Sequence, residues 1–208
     1  MYVSSKRKCN VYVPCSQSHE YSTTPRYGII SLSMNVTVVM VQSLNGKTTK
    51  GECPDDGQWK STEDQNFFHS LHKKYSLVVM GKKTYEVFKH HMVFQKNQLR
   101  IVMTSHPELY ATQTIPHKLE FTDESPQELV MRVSKNGYKT MLLAGGGTLN
   151  TAFFKSHLVN ELYLTIEPIL FGDGISIVTK DCQDIHLHLL SVKRLNTQGT
   201  LLLQYRIE

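Results

Sequence analysis

Short apolar runs separated by helix-like segments recur along this chain from Asn35 onward. VTVVMV (36–41) is apolar on both alternations and too short for a helix, the mark of a strand covered on both faces. Ser61 opens STEDQNFFHSLHKKY, in which Phe67, Phe68 and Leu71 recur at helical spacing and Asp64 stands three residues after the cap. LVVM (77–80) and LRIVMT (99–104) predict two more buried strands, with a short helix around Tyr85–Lys89 between them. Ser125-Pro126-Gln127-Glu128 combines a cap, a proline at the first helical position and a glutamate at the third. It predicts a helix to about Lys135, closed by Asn136-Gly137. TMLLA (140–144) reads as a strand, Thr148–Lys155 as a helix and ELYLTIEPIL as a strand. Runs near 186–195 and 200–207 form a hairpin about Asn196–Gly199. Strands alternating with helices predict an α/β fold of three layers: a mainly parallel central sheet, helices on both faces, and an antiparallel C-terminal hairpin. Residues 1–33, rich in Ser, Tyr and Thr without sustained periodicity, are expected to be a disordered or loosely attached extension to a folded domain spanning 34–208.

Composition narrows the class. With 208 residues, 40% hydrophobic and 20% charged, the chain has ordinary globular chemistry and enough mass for one good core. No apolar stretch approaches the ~20 residues that span a bilayer, and the N-terminus lacks the apolar block of a secretory signal, so a cytoplasmic protein without membrane contact is expected. Cys9, Cys15, Cys53 and Cys182 are scattered, which fits free thiols. Pro14-Cys15 near His19 lacks both the H-x-E element and the second cysteine of a deaminase zinc site. His186 and His188 alternate in a strand-like run and are expected to face solvent, so no metal site is expected. The net charge of +5 is dispersed apart from SSKRKCN (4–10), which reads as a solvated tail with no nucleic-acid role. A mild positive balance suits a phosphorylated small ligand.

Sheets of this kind bind ligands beyond the carboxyl ends of their strands. Three turns there carry chemistry: Gly81-Lys82-Lys83-Thr84, Thr104-Ser105-His106 and Gly145-Gly146-Gly147-Thr148. A glycine run joining strand to helix commonly presents amide N–H groups to an anion, while its bland alternative is tight helix–sheet packing. The run follows a late strand, unlike a dinucleotide fingerprint, and no Gly-Lys-Ser/Thr closes it as in an ATPase phosphate loop.

The ordered motifs VTVVMVQSLNGK, FFHSLHKKYSLVVMGKKTYE, RIVMTSHPE, LLAGGGTLNTAFF and LTIEPILFGDG resemble the dihydrofolate reductase-like superfamily. Within it they are closest to the C-terminal reductase domain of the bifunctional riboflavin-biosynthesis protein and its stand-alone relatives. The resemblance covers roughly residues 35–207. It implies a dihydrofolate reductase-like fold and an NADPH-dependent reductase that transfers hydride to a pyrimidine- or pterin-like compound, as in 5-amino-6-(5-phosphoribosylamino)uracil reduction. It implies that Gly81, Lys82 and Thr84 hold phosphates, with Lys82 on the 2′-phosphate. Thr104 and Ser105 would lie along the adenosine ribose, and Gly145, Gly146, Gly147 and Thr148 would cradle the pyrophosphate. Asn45 and Gly46 fall in the loop over the nicotinamide, where riboflavin reductases commonly have Asp in place of Asn45. Asparagine has no matched pKa for proton transfer. Asp64 matches the acid that anchors the pterin in true dihydrofolate reductases; its local alternative is a capping box with Ser61. Trp59 is expected to close the substrate pocket or to serve as a packing anchor, and Glu167 to face the same cleft. Two alternatives stand beside this reading: a dihydrofolate reductase proper, and a non-catalytic nucleotide-binding module. A homodimer is expected from the resemblance alone.

Overall fold

The computed structural model describes residues 34–52 and 57–208. The expectation for the first 33 residues, and Cys9, Cys15 and Cys53, lie outside them. The strands are β1 (Asn35–Ser43), β2 (Leu77–Gly81), β3 (Leu99–Met103), β4 (Leu119–Thr122), β5 (Thr140–Leu143), β6 (Glu161–Glu167), β7 (Leu187–Arg194) and β8 (Leu201–Ile207). The helices are α1 (Thr62–Lys74), α2 (Lys82–Phe88), α3 (Pro126–Lys135) and α4 (Gly147–Lys155).

One sheet runs in the order β4-β3-β2-β5-β1-β6-β8-β7. β1 to β6 are parallel, β8 is antiparallel to β6, and β7 is antiparallel to β8. This is the three-layer, dihydrofolate reductase-like arrangement expected from the sequence. Because β1, β2, β3 and β5 point the same way, the turns that leave them gather along one rim of the sheet.

Two-sided burial explains the apolar runs. Val36, Val38, Leu77, Val79, Ile101 and Leu143 pack on one face with Leu129 and Val133 of α3 and Phe153 of α4. Their strand neighbours Val39, Val78, Val102 and Leu142 pack on the other with Leu71 of α1 and Tyr85 of α2. Successive residues therefore enter opposite cores, as the pleat requires. In α3 the Ser125 hydroxyl accepts from Glu128 N, and the Glu128 carboxylate accepts from Ser125 N at 2.9 Å, a closed capping box.

Two elements depart from the sequence reading. α2 begins at Lys82 rather than near Tyr85, because its N-cap is Gly81, which has no side chain to signal a start. β4 was not expected: LEFT is four residues long and sits at the sheet edge, so only Leu119 is fully buried and little apolar signal remains. It is held by pairing with β3 and by Phe121 stacking on Tyr110 at 4.7 Å. Tyr110 comes from a 3-10 turn over Pro107–Gln113, also unanticipated. Among the described residues no helix is long and apolar enough to cross a membrane.

Candidate active site

A cleft of ≈ 1980 Å³ opens along the carboxyl rim of the sheet. Its lining includes Gly81, Lys82 and Thr84 at the start of α2, Thr104 and Ser105 after β3, Gly145 to Thr148 entering α4, and Asp64 of α1. The parallel ladder draws the turns together. Ala144 N donates to Val79 O at 2.9 Å, Gly81 N to Gly145 O at 3.1 Å, and the Thr84 hydroxyl to Gly145 O at 3.4 Å.

The three glycines answer to different constraints. A Cβ on Gly147 would meet Ser176 O at 2.7 Å, so tight packing accounts for that glycine; Gly145 combines a φ of +85° with Met40 Sδ at 2.7 Å from a would-be Cβ, so backbone and packing both call for glycine there. Gly146 is different: a Cβ there would find nothing nearer than Thr84 Oγ1 at 3.7 Å, yet its φ of 79° and ψ of 144° suit glycine almost alone. As N-cap of α4 it makes no side-chain capping bond. The first amides of α4 and those of α2, likewise without a side-chain cap, border the same cleft.

Asp64 is 5% exposed. Burial raises its pKa above the ordinary carboxylate value; hydrogen bonding from Thr165 of β6 and the charge of Lys60 oppose the rise, and the Glu167 carboxylate adds to it. A buried acid with a raised pKa at a cleft is suited to donating a proton. The expected capping box is only half formed. Asp64 N donates to the Ser61 hydroxyl at 3.2 Å, but Ser61 N donates to Glu167 rather than to Asp64.

Four expected site residues lie elsewhere. Asn45 Nδ2 donates to Phe171 O at 2.6 Å and its Oδ1 accepts from Phe171 N at 3.1 Å, so the amide clamps the loop after β1 onto the loop after β6. Gly46, with φ +80°, shapes that turn without lining the cleft. Its neighbours Thr48 and Thr49 do line it, and Thr48 is laced to Ile175 O. Trp59 and Glu167 border a smaller recess with Ser61, Pro168 and Thr200. Trp59 packs edge-on against Phe171 at 5.0 Å, the anchor role. Glu167 was expected to face the cleft because it ends a strand on the carboxyl rim, but its carboxylate is turned to Ser61 and Thr200.

Arg100 of β3 escaped the sequence reading because it lies inside an apolar run. It is 5% exposed, stands near the amino end of β3, away from the carboxyl rim, and borders the same cavity together with His72, Lys73 and His91. Its Nη2 donates to Val93 O at 2.6 Å and its guanidinium stacks over Phe94, but among the described residues no carboxylate pairs with it. Burial first, then the charges of Arg100 and His69, pull the His72 pKa down to about 4. The outer histidines His186 and His188 are exposed, as expected. No three His, Cys, Asp or Glu side chains cluster as metal ligands among the described residues.

A family model for the RibD C-terminal domain matches residues 34–201. An uncharacterized protein of Bacillus subtilis (strain 168), YwjB, is 24% identical over 134 residues, 64% of this chain and 75% of that protein. Among solved structures, a diaminohydroxyphosphoribosylaminopyrimidine deaminase/5-amino-6-(5-phosphoribosylamino)uracil reductase from Thermotoga maritima superposes with a TM-score of 0.65 at 15% identity. The match covers 84% of this chain and 56% of that one. Dihydrofolate reductase from Enterococcus faecalis, complexed with NADP(H), superposes with a TM-score of 0.56 at 18% identity over 84% of this chain and 96% of that one.

Proposed function

The chain belongs to the RibD C-terminal domain family, a reductase-type oxidoreductase family of riboflavin biosynthesis, and from that premise we propose that it reduces a pyrimidine- or pterin-like compound with NADPH. The observation that carries this reading is the meeting of two phosphate-suited turns, a hydroxyl-bearing turn and one buried acid on a single cleft. Gly81, Lys82 and Thr84 bind phosphates, with the Lys82 ammonium on the 2′-phosphate. Thr104 and Ser105 border the adenosine ribose, and Gly146, Gly147 and Thr148 offer α4 amides to the pyrophosphate. The two uncapped helix starts and the side-chain-free cradle at Gly146 fit a dinucleotide. NADPH, when bound, supplies the hydride.

The protein's own residues position and protonate. Asp64, buried beside Thr165, holds a hydrogen-bonding edge of the heterocycle and delivers the proton. Asn45 is committed to Phe171, so its amide takes no part in proton transfer. Arg100, with no carboxylate partner among the described residues, receives an anionic tail such as a phosphoribosyl group. Arg100→Met is expected to raise KM for the substrate at least tenfold, with NADPH affinity unchanged, since charge-assisted bonds contribute about 1.5–3 kcal/mol. An unchanged KM removes the anionic tail from this reading.

NADPH oxidation followed in the presence of a 5-amino-6-(phosphoribosylamino)uracil substrate, and separately of dihydrofolate, tests the assignment. Oxidation with the pyrimidine is expected. Turnover of dihydrofolate alone selects the second reading, a dihydrofolate reductase proper, which the burial of Asp64 on the cleft favours. Binding without turnover of either selects a non-catalytic module.

A homodimer forms through β7. Among the described residues this edge strand leaves one row of backbone groups unpaired by the sheet and exposes Leu187, Leu189, Leu190 and Val192 by 40–55%, a combination suited to a second copy of the same strand. The chain is expected to sediment as a dimer and the Leu189→Arg variant as a monomer; a wild-type monomer at all concentrations contradicts this.

A further inference from the structure

The sequence S/T-x-x-D/E occurs at the start of two helices, and the two resolve differently. At α3 the box closes on itself: Glu128, the third helical residue, accepts from both Ser125 N and the Ser125 hydroxyl. At α1 the equivalent acid is Asp64, yet both donors of Ser61 go to Glu167, 106 residues away at the end of β6. Glu167 Oε1 accepts from Ser61 N at 2.8 Å and from the Ser61 hydroxyl at 2.7 Å, while Oε2 accepts from the buried Thr200 hydroxyl at 2.7 Å. At 3% exposure this carboxylate is engaged on both oxygens by three donors from two residues, Ser61 just before α1 and Thr200 just before β8.

We infer that Glu167 is a positioning residue: by taking both donors of Ser61 it closes the α1 capping box from β6, and so releases the Asp64 carboxyl from its local partner into the cleft beside Thr165. A side chain at the third helical position ordinarily returns to the N-cap amide, because that amide has no other partner. Glu167 satisfies it from outside, and Thr200 fixes the direction of approach. β6 thus carries both halves of the arrangement, Thr165 next to Asp64 and Glu167 two residues on, next to Ser61. The sequence alone favours the opposite outcome, a closed Ser61–Asp64 box.

The inference rests on the reading of Asp64 as the acid of the cleft, and its test separates the two. Glu167→Asp keeps the charge but is one methylene too short to hold Ser61; Glu167→Gln keeps the length but loses the charge. In crystals of Glu167→Asp the Asp64 carboxyl is expected on Ser61 N, whereas the Glu167→Gln amide oxygen still accepts from Ser61 and is expected to leave Asp64 beside Thr165. By carbon-detected NMR titration of the full chain, the proton affinity of Asp64 in Glu167→Asp is expected to fall at least tenfold, because an N–H bond favours the ionised form. The fall in Glu167→Asp cannot come from a lost neighbouring charge, and Glu167→Gln shows separately what the loss of that charge does with Asp64 left in place. Asp64 remaining beside Thr165 with unchanged proton affinity in Glu167→Asp overturns the inference. Asp64 moving to Ser61 without any change in kcat upholds it and counts instead against the role given to Asp64 under Proposed function.

Discussion

Asp64→Asn is expected to lower kcat by about 10²–10⁴-fold, the range lost when a general acid is removed, while NADPH affinity stays unchanged. The residue faces the cleft from α1, apart from the turns assigned to phosphate, so binding and chemistry separate. The same variant is expected to melt at a higher temperature than wild type at neutral pH. Burial raises the folded-state pKa of Asp64 above the unfolded value. The folded state therefore binds the proton more tightly, and stability present below the ordinary carboxylate pKa is lost as pH rises through the raised value. Asparagine does not ionise, so its advantage grows over that window and disappears in acid. A variant with full kcat removes Asp64 from the mechanism. A variant that gains stability only in acid contradicts the burial argument.

Lys82→Ala is expected to weaken NADPH by about tenfold, the lower end of what charge-assisted contacts contribute, and to leave NADH nearly untouched. The lower end applies because Lys82 is exposed and its charge is screened by solvent and salt. Parallel titrations of the variant with both cofactors check this. Equal losses for NADPH and NADH would move the 2′-phosphate contact away from Lys82, and retention of the preference would do the same.

The turns proposed to hold the cofactor were legible in the sequence as candidates because their residue types are unusual where they stand. Glycine, lysine and threonine at the ends of apolar strand runs have few roles besides turning the chain and meeting an anion. What the sequence leaves open is how a shared pattern divides its work. Packing against Ser176 governs Gly147, a positive φ together with Met40 governs Gly145, and of the three Gly146 alone joins a positive φ to an open surrounding. Asp64 was legible as a candidate but ambiguous with a cap, because the residue that decides the matter is Glu167, far along the chain. Position alone sent Glu167 to the cleft; its partners Ser61 and Thr200 converge only in three dimensions. Arg100 was hidden by the run that contains it, although a guanidinium within a buried strand was the available signal. The strand character of β7 was readable, but its exposure was not, since LHLLSVKR looks alike whether the sheet continues past it or stops.

The central claim is that the cleft along the carboxyl rim takes NADPH. A fluorescence titration of the intact chain with NADPH and NADH in parallel tests it most directly. Saturable binding of both with NADPH clearly the tighter is the expected result; no binding of either would mean that the glycine and lysine turns serve packing alone.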